Sequence, residues 1–219
     1  HRRSRTSTLF IAARRYPIHS GSQVISYSHF FDRPDMTTFL NNHLSGQWQS
    51  GAQAVHKDLT VYASGPKAAI KQLAPVFAGF SKNSFDLGAF GKGMKMKLMA
   101  NLLVAIHNVS TAEALLLGQR WGIRPQDAVK VLSDGAGGSR MLQVRGPMMV
   151  DRSWEDATMK VSTWQKDMAL IQALLQATDT PAPLFAATQP IYNAAMAMGH
   201  GMDDTASVYD VLERWTQPT

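Results

Sequence analysis

The chain contains no cysteine. Disulfides, thiolate nucleophiles and cysteine-ligated zinc are therefore excluded. That absence fits a reducing compartment; the cytoplasm is the expected location, with the mitochondrial matrix as the alternative. Long uncharged apolar runs are missing too. No segment approaches the ~20 residues that a membrane span needs, so none is expected. Charged residues are sparse at 17%, against 45% hydrophobic ones, the balance of a globular chain. A chain of 219 residues can bury one good core, or one and a half. Lysine is absent from residues 1–49, and acid is scarce there. Six arginines (Arg2, Arg3, Arg5, Arg14, Arg15, Arg33) against Asp32 and Asp35 leave +4 in the first 50 residues; the rest carries only +2 of the total +6. A nucleic-acid binder would show its positive charge on a folded face or helix. Here the excess lies in a segment with no sustained helical or strand period, so no nucleic-acid partner is expected. An Arg- and Ser-rich, acid-poor start fits a transit peptide. A truncated or mistranslated start is the plainer reading of a chain that opens at His1. Also absent is G-x-G-x-x-G after an early strand, the loop that cradles a dinucleotide pyrophosphate.

What is present begins after residue 50. Residues 57–65 alternate apolar and polar side chains and end at Gly65, which predicts a strand. Pro66 then opens a helix to about Phe80, with Ser64 near its cap. Residues 84–88 read as a second short strand. Strand, helix, strand is the unit of a nucleotide-binding sheet, and only one such unit is visible. From Gly91 onward the signals are helical. A long helix is expected from about Met94 to Trp121, and Gly122 and Pro125 mark a break and a restart. Further helices are expected to about Asp134, from Ser139 to about Met149, and from about Ala157 to Thr178. The last two run from Leu184 to Met198 and from Asp204 to Trp215. Met196, Met198 and Met202 read as fillers of core gaps rather than metal ligands. No metal site is expected.

The long helix holds the most informative residues. Lys97 and Asn101 are four apart, so a helix stacks their side chains on one side. Their neighbours are almost all apolar, which predicts a helix buried on most sides. A buried ammonium needs a partner or a lowered pKa, and a lysine titrating near neutrality can act as general acid or base. The alternative is an ordinary amphipathic helix entrance with solvated cations, as expected for Lys92 and Lys95.

Gly91-x-Gly93-x-x-x-Lys97-x-x-x-Asn101, followed by an apolar helix carrying Glu113-Ala114, resembles the beta-hydroxyacid dehydrogenase family, that of 3-hydroxyisobutyrate dehydrogenase. Three later segments are similar to the same family in order: Asp134-Gly135-Ala136-Gly137-Gly138-Ser139, Lys166-Asp167-Met168-Ala169-Leu170, and Gly199-x-Gly201-x-x-Asp204. The resemblance spans about residues 50–215. It implies an α/β remnant, the end of a Rossmann-type sheet, followed by an all-α domain of the 6-phosphogluconate dehydrogenase C-terminal type. The expected divisions are an atypical segment at 1–49, a last βαβ piece at 50–91, and a helical substrate and dimerisation domain at 92–219.

The implied activity is hydride transfer between a 3-hydroxy acid and NAD or NADP. By resemblance, Lys97 is the catalytic proton relay and Asn101 holds Lys97 or the substrate hydroxyl. Ser50 and Gly51 align with a substrate-carboxylate loop. Gly93 and Lys166 align with cofactor-binding positions, and Asp204 and Asn108 read as a helix cap and a buried amide. Two departures count against full function: the missing dinucleotide loop, and Ala100 where the family has a first asparagine. The chain is therefore expected to bind NAD weakly by itself, as an inactive fragment would. A small hydroxy acid and a second copy of the chain, met through the helical domain, are the expected partners. The alternative from another class is a non-catalytic helical oligomerisation module.

Overall fold

Alternating Thr60, Val61, Tyr62 and Ala63 form strand β1 (Thr60–Ala63), which buries Val61 and Ala63 on one side. The structure is a computed structural model that describes residues 59–216. Within them one unit ends at Lys97 and a second begins at Leu98. In the first, helix α1 (Lys67–Phe80) presents Ile70, Leu73 and Phe77 at helical spacing and packs them on Val61 and Ala63. Strand β2 (Asn83–Asp86) returns parallel to β1, with Val61 opposite Ser84 and Tyr62 opposite Phe85. The expected strand–helix–strand unit is thus formed. Ser64 does not cap α1. The helix starts with Pro66 at the cap position and no side-chain bond there, which leaves Ser64 too early in the chain. Its hydroxyl sits instead beside Gly93.

Helix α2 (Lys92–Arg120) follows. A Cβ at Gly93 would lie 2.5 Å from the Tyr62 carbonyl oxygen, so only glycine lets the start of α2 abut β1. Leu98, Asn101, Ala105, Asn108, Ala112 and Leu115 share its buried face. The opposite face is not buried, contrary to the expectation from composition: Met99, Leu103 and Leu117 are exposed. In length and mean hydropathy α2 would suit a membrane span, but its buried face joins the helical core. At its end Gly122 takes φ 77°, with Gly122 N–H bonded to the Gln119 carbonyl and Ile123 N–H to that of Gly118. This paired closure takes the Gly118 and Gln119 carbonyls at the end of α2.

The second unit continues with α3 (Pro125–Asp134), α4 (Arg140–Asp151), α5 (Val161–Ala177), α6 (Pro183–Ala197) and α7 (Val208–Thr216). Pro125 occupies the first turn of α3, and the Ser139 hydroxyl caps α4 by accepting from Leu142 N–H at 3.0 Å. Between them Gly138 is hemmed by the carbonyls of Leu132, Ser133 and Gly135, all near 3 Å from where a Cβ would stand. Helix α5 starts at Val161, later than the pattern predicts. Val161 N–H, which a helix begun at Ala157 would give to the Ala157 carbonyl, donates to the Asp203 carbonyl at 2.9 Å, and the Met159 carbonyl accepts from Thr205 N–H at 2.9 Å. Two 3-10 turns, His200–Met202 and Thr205–Ser207, precede α7, so the last helix also starts later than Asp204. Trp164, Phe185, Tyr192, Leu115, Met149 and Val208 fill the centre of this core.

Candidate active site

Two asparagines lie two turns apart on the buried face of α2, and their surroundings differ in kind. Asn101 Nδ2 donates to Asp167 Oδ2 at 3.0 Å. Asp167 projects from α5 and is itself buried; its other oxygen, Oδ1, lies 3.2 Å from Lys166 Nζ. Lys166 keeps 36% of its side chain exposed against 6% for Asp167, so this cluster runs from the core to solvent. Lys97 lies one turn before Asn101 on the same helix and is half-buried, whereas Lys92 and Lys95 are exposed as expected. The sequence reading gave Asn101 a bond to Lys97 or substrate; the structure shows it bonded to Asp167.

Asn108 instead donates to neutral oxygens, Tyr192 Oη at 3.2 Å and Thr205 Oγ1 at 3.1 Å. The Tyr192 hydroxyl donates in turn to the Ala105 carbonyl at 3.3 Å, and burial pushes this phenol well above its ordinary range despite the Asn108 bond. Next to Thr205 stands Asp204, fully buried with Arg145, whose Nε is 2.8 Å from Asp204 Oδ1. Burial alone would raise the Asp204 carboxyl. The Arg145 guanidinium, with bonds from Thr158, Arg145 and the Met159 amide, outweighs that and holds it below the usual carboxylate range. Asp204 also caps the turn at Thr205–Ser207 through Ala206 N–H. Asp204 is a cap and Asn108 a buried amide, as read from the sequence.

Asp167 and Arg145 were not singled out as site or core residues. Both leave a signal in the sequence. Asp167 falls three residues after Trp164 on the apolar stripe of α5, and Arg145 interrupts the apolar run of α4 between Leu142 and Met149. A charge on a buried stripe demands a partner. Gly93 has a packing reason for being glycine. Ser50 and Gly51 lie outside the described residues. Among the described residues no group of three His, Asp or Glu side chains is arranged to hold a metal ion.

Residues 91–212 match the family described as "NAD-binding of NADP-dependent 3-hydroxyisobutyrate dehydrogenase", more than half of the chain. The chain belongs to this 3-hydroxyisobutyrate dehydrogenase family. Its cofactor class is accordingly the nicotinamide dinucleotides, NAD or NADP. It is 31% identical over 175 residues to glyoxylate/succinic semialdehyde reductase 2, chloroplastic, of Arabidopsis thaliana, covering 80% of this chain and 48% of that one. To the L-threonate dehydrogenase of Cupriavidus necator it is 30% identical over 162 residues, covering 74% and 54%. A crystal structure of 3-hydroxyisobutyrate dehydrogenase from Salmonella typhimurium superposes with a TM-score of 0.63 at 29% identity, over 68% of this chain and 52% of that one. The chain spans about half the length of the curated relatives it matches.

Lys166 offers a partly exposed ammonium suited to ribose or phosphate oxygens. A glycine-rich phosphate cradle is not among the described residues.

Proposed function

We propose that this chain carries the reacting end of an NAD(P)-dependent hydroxyacid dehydrogenase. When bound, the nicotinamide supplies the hydride acceptor. In the oxidation the substrate hydroxyl proton passes to the Lys97 amine as the C–H bond is given up; in the reduction the Lys97 ammonium returns it to the carbonyl oxygen. Asn101, one turn on, orients the hydroxyl so that the proton moves along a fixed line. Lys166 meets the cofactor at its ribose or phosphate oxygens. By resemblance, Ser50 and Gly51 take the substrate carboxylate. The observation that carries this reading is the Asn101–Asp167–Lys166 cluster: a family lysine and a family asparagine joined through one buried carboxylate.

The test is turnover. The complete protein, mixed with NAD or NADP and a series of short 3-hydroxy acids, should generate reduced nicotinamide, seen by its absorbance. No turnover with any hydroxy acid, in protein shown to be folded, would remove the enzyme reading. The 219-residue chain by itself should bind NAD weakly; micromolar affinity by calorimetry would contradict that part.

A second reading rests on the exposed Met99, Leu103 and Leu117 of α2. Such a face suits a helical oligomerisation module with no catalysis. The two readings part at Lys97, which the second leaves without a task.

A further inference from the structure

We propose that Asp167 is a positioning residue that sets which end of the Asn101 amide faces the reacting groups and at the same time holds Lys166 for the cofactor. The inference rests on the catalytic reading above and adds a residue to it.

An asparagine amide is nearly symmetric in shape but not in chemistry. One end donates two protons and the other only accepts. A carboxylate beside it decides the matter, because an ionised carboxylate offers no proton. Asp167 Oδ2 at 3.0 Å therefore takes the NH2 end of Asn101. The carbonyl end, Oδ1, is left for the other side. That end accepts a proton donor, so it suits a substrate alcohol O–H or an ammonium and gives nothing to a carbonyl oxygen. Reversed, the amide would present a donor to a donor.

The second oxygen of Asp167 is used separately. Oδ1 lies 3.2 Å from Lys166 Nζ. One buried carboxylate thus holds a substrate-side amide with one oxygen and a cofactor-side cation with the other. It lies at the middle of the cluster, with both working groups attached to it. Replacing it by its amide, Asp167→Asn, keeps the size but removes the charge and allows the Asn101 amide to turn over.

The experiment uses the complete protein and a double-mutant cycle read separately in kcat and in cofactor KM. Asp167→Asn should lower kcat by about tenfold or more and raise the cofactor KM by about tenfold. Adding Asp167→Asn to Asn101→Ala should then change kcat by no more than about threefold, and adding it to Lys166→Ala should do likewise for cofactor KM, because Asp167 acts through each of these partners. A carboxylate with a merely structural role would give additive effects. Additive effects, or a kcat for Asp167→Asn within about threefold of the parent, would overturn the inference. If Asp167→Asn does not fold, Asp167→Glu takes its place. It keeps the charge for Lys166 but displaces the oxygen from Asn101, so it should lower kcat and leave cofactor KM alone; no change in kcat would overturn the inference. Lys97→Ala run alongside separates the two levels. If it is inactive while Asp167→Asn is normal, only the role of Asp167 falls. If Lys97→Ala turns over normally, the catalytic reading falls first.

Discussion

Asn101 and Asn108 share a helix, a face and near-complete burial, yet they belong to different parts of the molecule's chemistry. Asn108 is tied to Tyr192 and Thr205 and, through the neighbouring Asp204, to the fully buried Arg145. Nothing in that network reaches solvent at Arg145 or Asp204. Asn101 is tied to a single carboxylate whose other oxygen meets a partly exposed lysine. The lesson is that burial does not tell these two amides apart. The partner's charge and the path to solvent do.

The contrast can be broken at several points, and the largest effect is expected at the sealed end. Asp204→Ala removes the carboxylate opposite the buried Arg145 guanidinium and frees the N–H groups of Thr158 and Met159. It should cost about 3–5 kcal/mol of stability in urea unfolding; a loss under about 1 kcal/mol would mean that the pair is not what closes this core. Asn101→Ala should act the other way round, lowering turnover by about a hundredfold with a smaller loss of stability than Asn108→Ala. If both asparagine variants lost stability equally and turnover equally, the distinction drawn here would disappear.

Asn108→Ala removes two buried hydrogen bonds and should cost about 1–3 kcal/mol, with the folded fraction turning over as the parent does. Acid should also act on the sealed side. The Asp204 carboxyl is held down, and so is that of Asp210, where burial is outweighed by bonds from His200 and Arg214. A depressed carboxylate contributes stability that is present above its ordinary, unfolded-state pKa and is lost as the pH falls through the folded one. Thermal melts should therefore hold steady near neutrality and fall in acid below the ordinary carboxylate range. Asp210→Asn should flatten that fall; an unchanged acid limb would speak against the Asp210 part. The smallest effect is expected at the exposed Arg124–Asp127 pair, where Arg124→Ala should leave the melt unchanged.

Much of this organisation was legible in the sequence because it follows from local chemistry. Pro125 and Gly122 each mark a helix end by a backbone property of their own, and Ser139 does so by its hydroxyl. Alternation at residues 60–63 marks β1 in the same way. What could not be read depends on groups far apart in the chain. The start of α5 is set by the backbone of Asp203 and Thr205, more than 40 residues away, which takes the Val161 N–H and the Met159 carbonyl that a longer helix would use. The partner of Asn101 is Asp167, 66 residues on, and no spacing rule on one helix reaches across to another. The composition of α2 overstated its burial because an apolar residue does not reveal which face of the helix finds a partner. Of the candidate residues, Lys97, Asn101 and Lys166 were visible as motif positions, and the carboxylate between the last two was visible only as a charge on an apolar stripe.

The most direct measurement is kcat/KM of Lys97→Ala beside Asn108→Ala, both in the complete protein and both corrected for folded fraction. The prediction is no detectable turnover for Lys97→Ala and parental turnover for Asn108→Ala. Lys97→Ala turning over within about tenfold of the parent would contradict the assignment of this end of α2 as the place where the reaction happens.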